Sequence, residues 1–489
     1  MAAQTGGAGS GAPRPEAGPD AGRGGGPGGG PDAGWLVRAR HVLTSGPAGH
    51  LRDAAVAVRG DRIAAVGPWA ELRRDHPDAA VVGDGTGILT PGFVSCHGHF
   101  SEGLVTGIGE THTLWEWFVH VVCPIEPHLT RETAYVGTLL KGAEMALSGV
   151  TTAADMFCHA PGAEPAVPGV VDGLEQLGLR GDVSYGAQDT SNPRPLERVL
   201  AEHEALAAAA AGSRRSRFRV GLSTVPSASD EIIAATRKLL GETPRLHVHL
   251  HEVREEVTES RMNRGMGAVE YAARAGLLDA QVLAAHCVWL DDTDIALLRR
   301  HDVAVAHNPV SNMILASGVA PVPRLLREGV TVGLGLDGPA SNDSQDMLGT
   351  LKTAALLQKV HHLQATALTA PQVLQMATLG GARALGLEAE IGSLEPGKQA
   401  DLVLFAERSP SLSNVHDPYQ EIVYCASVRD VDRVWVGGEP VVAGGRALGV
   451  DLPELLPRAR ELAVKLAVDA GLDSELAREA SSPTPQEEP

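Results

Sequence analysis

Between Pro91 and about Leu387 the chain alternates short apolar runs with longer amphipathic stretches. The candidate strands are Phe93–Phe100, Val150–Phe157, Arg180–Ala187, Phe218–Val225, Leu246–Glu252, Val282–Val288, Val303–Asn308 and Thr331–Asp337. Their length and their Val, Leu and Ala content predict eight buried strands. Arg131–Leu147, Pro195–Ala211, Asp230–Leu240, Met266–Ala275 and Thr293–Arg300 instead carry apolar residues at helical spacing. Eight strand–helix units predict an α/β fold, either a (β/α)8 TIM-like barrel or an open doubly wound sheet. The barrel is favoured because polar, metal-capable residues end strands one, five, six and eight. Only a closed barrel brings those four ends over one centre.

The flanks have a different period. Trp35–Leu43, Ala54–Arg59 and Arg62–Val66 read as short strands, the last two joined by a turn at Gly60-Asp61. Gly397–Phe405 and Val431–Val442 share that character. The simplest arrangement is a small β-sandwich domain built from residues 35–90 and 388–450, closed around a barrel of 91–387. A helix is expected over 451–473. Met1–Gly34 holds 13 Gly and 5 Pro and has no apolar centre. It reads as a disordered tail rather than a signal peptide, which suits a cytoplasmic protein. Residues 474–489 read as a second disordered tail.

Charge and cysteine content narrow the function classes. With 41 Lys+Arg against 60 Asp+Glu in 489 residues, the net charge of −19 argues against a nucleic-acid surface. The alanine-rich run Ala205–Ala211 is bounded by Glu204 and Arg214 and is too short to span a membrane. The five cysteines, Cys96, Cys123, Cys158, Cys287 and Cys425, are dispersed and form no CxxC pair, so neither a disulfide framework nor a zinc ribbon is expected.

The strand ends carry the chemistry. In His97-Gly98-His99 the two imidazoles lie two residues apart, on one face of an extended chain, as a divalent ion needs. His247, His249 and His251 share one strand face, and Glu252 follows at the strand's end. A four-coordinate ion cannot use all three together with the first pair, so at least one is a core or supporting histidine. His286 ends an apolar strand. Asp337 ends the most hydrophobic one, where a carboxylate is costly unless it is paired, hydrogen-bonded or metal-bound.

Taken together, Pro91–His99 (PGFVSCHGH), Leu246–Glu252, Ala284–Cys287 (AAHC), His307–Asn312 (HNPVSN) and Gly335–Asn342 (GLDGPASN) resemble the amidohydrolase superfamily. The resemblance is to its metal-dependent aminohydrolase branch, which includes methylthioadenosine/S-adenosylhomocysteine deaminases and triazine chlorohydrolases. Gly392–Leu404 resembles that family's return into its β domain, and the likeness spans roughly residues 35–450. It implies one divalent metal on His97, His99, His249 and Asp337, with His249 chosen for its spacing from Glu252. Phe218–Val225 holds no lysine of the kind binuclear members carboxylate, so the expected centre is mononuclear. Zn²⁺ is the first expectation and Fe²⁺ fits the same ligands. The resemblance further implies that the metal activates water, that Asp337 orients the hydroxide and takes its proton, and that His286 stabilises the developing charge. Glu252 would then move a proton to the ring nitrogen and to the leaving group.

For the substrate, a small-molecule heterocycle, the resemblance offers Glu126 as a partner for ribose hydroxyls and Arg194 near a homocysteine-binding position. Trp115 is a candidate cover for an aromatic ring. Tyr185 and Val225 depart from the pattern, standing where an arginine and a histidine are usual. The expected activity is deamination of an amino-bearing heterocycle such as a purine or nucleoside, releasing ammonia, with a substituent smaller or less polar than homocysteine. The alternatives are displacement of chloride or another group from a triazine, and a non-catalytic barrel scaffold, which would have no reason to retain the ligands. A homo-oligomer is compatible with each reading.

Overall fold

The computed structural model describes residues 34–160, 164–189, 194–407 and 409–472. The two expected tails fall outside them, residue 34 excepted. Strands from both ends of the chain share one nine-stranded sheet. Its order is Arg446–Ala447, Glu439–Ala443, Val431–Val436, Leu402–Phe405, Ile88–Pro91, Trp35–Leu43, His50–Arg59 and Arg62–Pro68, with Ala80–Val82 also paired to Trp35–Leu43. The Gly60-Asp61 turn sits between paired Arg59 and Arg62. Alternation assigns the two faces. Trp35, Val37, Val56, Leu402 and Trp435 join one core, while Leu36, Ala55 and Ala57 pack under Leu72 of helix Trp69–Asp75. The expected strand Gly397–Phe405 is shorter than its apolar pattern. Residues 397–400 cross instead to the far edge, where Arg62 bridges Gln399 and the Ile63 N–H donates to the Lys398 carbonyl at 2.8 Å.

Two parallel sheets fill the middle of the chain. One holds Phe93–Ser95, Val150–Phe157, Arg180–Tyr185 and Ser216–Phe218. The other holds Val220–Thr224, Arg245–Leu250, Gln281–His286, Ala304–His307 and Val332–Leu334. Strands covered on both faces read as continuous apolar runs, and Val150–Phe157 is buried throughout. The expected fourth strand is interrupted at Arg219. Residues before it pair with Gly181–Val183, and residues after it pair with Leu246–His249. At the break lies a fully buried ion pair, in which Arg219 Nη2 donates to Asp182 Oδ2 at 2.9 Å. Hydrogen bonds cross both gaps between the two sheets. Ser223 N–H donates to the Ala187 carbonyl at 2.9 Å, and Cys96 N–H to the Leu334 carbonyl at 2.8 Å.

Helices Arg131–Leu147, Leu196–Gly212, Asp230–Glu242, Ala268–Arg274 and Asp292–Arg300 occupy the connections that the helical spacing predicts. Thr130, Ser229 and Asp291 cap three of them through side-chain oxygens that accept backbone N–H groups. A further helix, Leu452–Asp469, follows the last strand. The five cysteines are free. Among the described residues, no helix is long and apolar enough to cross a membrane.

Candidate active site

Four strand ends converge. The first strand ladder stops at Ser95, short of the expected Phe100, because the His97 carbonyl accepts N–H groups from both Leu336 (3.2 Å) and Asp337 (3.0 Å). That double bond ties the His97-Gly98-His99 segment to the last strand. His251, His286 and Asp337 all take left-handed backbone conformations, with φ of 52°, 71° and 63°. Such strain in non-glycine residues clusters where a site over-determines the backbone. It lets each strand turn sharply at its end, which brings His286 and Asp337 to the cluster and turns the His251 ring away from it.

The hydrogen bonds assign the imidazole protons. Ser184 Oγ donates to the Asp155 carbonyl at 2.7 Å, so its oxygen accepts from His247 Nδ1–H at 3.2 Å. His247 Nε2 is therefore an acceptor, and His97 Nδ1–H donates to it at 2.8 Å. His99 Nδ1–H donates to the Met156 carbonyl at 2.6 Å, and His249 Nδ1–H to the Ser223 carbonyl at 2.7 Å. Each of His97, His99 and His249 is left with a bare Nε2 lone pair. Burial lowers the pKa of all three, to about 4 for His97, so all three are neutral at neutral pH.

These lone pairs face one another. His249 Nε2 lies 3.3 Å from His99 Nε2, and His97 Nε2 is buried without a hydrogen-bond partner. Asp337 Oδ1 is 3.2 Å from His97 Nε2 and 3.4 Å from His99 Nε2. Burial alone would raise the Asp337 pKa, yet the net direction is well below the usual range, and of the neighbouring histidines His286 is the one able to carry the positive charge that keeps the carboxyl ionised. Three facing lone pairs and a carboxylate repel one another unless a cation lies among them, and imidazole with carboxylate is a donor set suited to zinc or ferrous iron. Hydrogen bonds on each Nδ1 orient the rings, as ligating histidines require.

A second group lies alongside. His286 Nδ1–H donates to Asn312 Oδ1 at 2.8 Å. Its Nε2 is 3.4 Å from Glu252 Oε2 and 3.8 Å from Asp337 Oδ2. Burial works against a charged His286, yet Glu252 and then Asp337 raise its pKa overall. Burial pushes Glu252 up to about 7 against the pull of His286. A carboxyl that ionises near neutrality can give and take a proton at working pH. The loop after Asp337 is held by the buried Glu102, whose Oε2 accepts the Ala340 N–H at 3.1 Å. A Cβ at Gly338 would lie 1.9 Å from that oxygen, so only glycine fits there.

His247 supports His97, while His251 stands apart. His251 Nε2 accepts the Ala268 N–H at 3.0 Å, and its Nδ1 is 3.3 Å from Asp294. Glu126 and Arg194 meet each other. Arg194 Nη2 donates to Glu126 Oε2 at 2.7 Å with both side chains buried, and Nη1 donates to the Tyr185 hydroxyl at 3.3 Å. Val225 lies wholly in the core. Trp115 is half-buried and edge-on to Phe118 at 6.3 Å between ring centroids. Its neighbour Trp117 instead donates through Nε1 to the Ala340 carbonyl at 3.0 Å. The buried Asn312 and Ser317, which touch His286 and Glu252, are additions to the sequence reading. Asn312 lay within the HNPVSN motif, whereas nothing in the sequence singled out Ser317.

Known proteins resemble this chain in sequence and in fold. The Amidohydrolase family matches residues 88–441, and a bacterial imidazolonepropionase-like composite domain matches 54–79. A 5-methylthioadenosine/S-adenosylhomocysteine deaminase of Desulforudis audaxviator is 39% identical over 438 residues, covering 88% of this chain and 98% of its own. A 5'-deoxyadenosine deaminase of Methanothermobacter thermautotrophicus is 39% identical over 412 residues, covering 83% and 93%. Among solved structures, a zinc-bound adenosine deaminase from Xanthomonas campestris aligns with TM-score 0.82 at 30% identity, covering 89% of this chain and 99% of its own. A zinc-complexed atrazine chlorohydrolase from Arthrobacter aurescens aligns with TM-score 0.80 at 26% identity, covering 88% and 99%. With the family match spanning most of the chain and the ordered histidine and aspartate motifs drawn together at the strand ends, the chain belongs to the amidohydrolase family.

Proposed function

We propose that the chain is a metal-dependent aminohydrolase that deaminates an adenine-type nucleoside, replacing the exocyclic amino group with oxygen from water and releasing ammonia. The observation that carries this is the convergence of three bare, buried imidazole lone pairs on Asp337, with Glu252 and His286 beside them. The names of the relatives, deaminases of methylthioadenosine, S-adenosylhomocysteine and 5'-deoxyadenosine, support the substrate class. The proposed architecture is a closed (β/α)8 barrel over 91–387 on a composite β domain of 35–90 and 388–450. The hydrogen bonds across the two gaps between the parallel sheets support it.

In this reading His97, His99, His249 and Asp337 hold one divalent ion, zinc first and ferrous iron second. A bound divalent ion supplies Lewis acidity and lowers the pKa of water toward neutrality. The remaining work belongs to the chain. Asp337, kept ionised, orients the attacking water and accepts its proton. His286, drawn toward its cationic form by Asp337 and, when it is ionised, by Glu252, offsets negative charge on the attacking oxygen. Glu252 in its protonated form donates to the ring nitrogen, where loss of aromatic conjugation makes help most needed. It then takes the proton of the newly added hydroxyl and passes it to the departing amino group, which leaves as ammonia, and the water proton held by Asp337 restores the Glu252 acid.

Glu126 reads the sugar. A carboxylate is an acceptor suited to hydroxyl donors, and Glu126 already accepts from Arg194 Nη2 at 2.7 Å and from Gln188 Nε2 at 3.5 Å. Arg194 is already committed to a buried ion pair with Glu126. Drawing it away to meet a substrate carboxylate carries the cost of breaking such a pair, about 3–5 kcal/mol. The favoured nucleoside therefore has a short, uncharged 5' substituent rather than an amino-acid tail. Product analysis across adenine nucleosides, free aminopurines, pterins and triazines tests this. Ammonia from the nucleosides supports it, and activity confined to chloride displacement from triazines would replace it.

A further inference from the structure

Glu252 sits in a bracket that the reaction scheme leaves unused. One of its oxygens, Oε2, faces His286 Nε2, and the other, Oε1, accepts the Ser317 hydroxyl at 3.1 Å. Ser317 is buried, and its backbone is held on two sides. Its N–H donates to the Asn312 carbonyl at 2.9 Å, and its carbonyl accepts Trp289 Nε1–H at 2.7 Å. The Trp289 ring is stacked under Arg254, whose guanidinium carbon is 4.0 Å from the ring centroid. Asn312 in turn accepts from His286 Nδ1. One short turn thus touches both Glu252 and His286, and an indole holds it through the Ser317 carbonyl.

From this geometry we infer that Ser317 is the positioning residue for Glu252, and that Trp289 acts through Ser317 as its clamp. The hydroxyl occupies Oε1 and fixes the carboxyl plane. Oε2, opposite His286, is then the oxygen that carries the proton. Without the hydroxyl the carboxyl is free to rotate about its last torsion, which is broad and two-fold in glutamate. Misplacement of a proton carrier lowers turnover rather than binding. The inference rests on the reading of Glu252 as the proton carrier.

The test is steady-state ammonia release by the metal-loaded protein with a nucleoside substrate. Ser317→Ala should lower kcat about 10-fold, the size of one hydrogen bond to a charged group, with KM and metal content little changed. Ser317→Thr keeps the hydroxyl and should recover most of the loss. Trp289→Phe keeps the ring over Arg254 but removes the N–H, and should lower kcat in the same direction by less. In a Glu252→Gln background, Ser317→Ala should cost nothing further, because residues acting through one another are non-additive. Unchanged kcat in Ser317→Ala, a change in KM alone, or an equal loss in the Glu252→Gln background would each overturn the positioning role. Normal turnover in Glu252→Gln alone would instead overturn the reading of Glu252, and the proposal with it.

Discussion

Glu252→Gln separates two consequences of one buried carboxyl. The amide keeps the size and planarity of the side chain and can still accept from Ser317 through its carbonyl oxygen. It cannot ionise or pass a proton to the ring nitrogen. A positioned general acid/base contributes about 10²- to 10⁴-fold, so kcat should fall by that factor, equivalent to about 3–5 kcal/mol of barrier. The ligand cluster excludes Glu252, and bound metal should stay unchanged. Stability should move the other way. Burial raises the Glu252 pKa from 4.5 to about 7, so above pH 7 the folded protein carries an ionised group it disfavours by about 3 kcal/mol. Below about pH 4.5 the carboxyl is protonated in both folded and unfolded states and that cost vanishes. The metal-depleted Gln variant should therefore gain thermal stability over the parent as pH rises from 4.5 to 7, then hold a constant advantage. Ammonia-release kinetics and thermal melts across that range read both effects. Near-normal kcat, or a stability difference that does not change with pH, would refute the reasoning.

Two further substitutions probe the surroundings of the centre. Glu126→Ala should raise KM or lower kcat/KM for a nucleoside while leaving the corresponding free base little affected; equal effects on both would show that Glu126 does not read a sugar. His251→Ala should retain the metal and most turnover but lose about 1–3 kcal/mol of stability, because the Ala268 N–H loses its buried acceptor. Elemental analysis and melts check this, and loss of the metal would move His251 into the ligand set.

The parts of the site that sequence makes legible are those fixed by local spacing. The strands that carry His97, His99, His286 and Asp337 are apolar runs that end in a polar residue, and the ordered motifs supply the rest. The choice among His247, His249 and His251 shows where spacing stops helping. Strict alternation puts all three on one face, but the chain turns left-handed at His251 and sends its ring toward Asp294 and Ala268. His247 is separated from the other two only by its contact with His97, 150 residues away in sequence. The break in the fourth strand has the same origin. Its run, Phe218–Val225, carries Arg219 as its second residue, and the break falls where Arg219 pairs with Asp182 on the neighbouring strand. Arg194 suggested a contact for a substrate tail, yet its charge is met by Glu126, 68 residues earlier. Ser317 carries no pattern at all, since one serine in a loop gains its role only from the carboxylate that the fold brings to it.

The central claim is that the facing lone pairs of His97, His99 and His249, with Asp337, hold the ion on which hydrolysis depends. The most direct measurement is elemental analysis of the purified protein, coupled to ammonia release before chelation, after it, and after adding back zinc or ferrous iron. About one divalent ion per chain, activity lost with the ion and restored with it, and none of this in His249→Ala, is the predicted result. Full turnover by protein that contains no divalent metal would contradict the account.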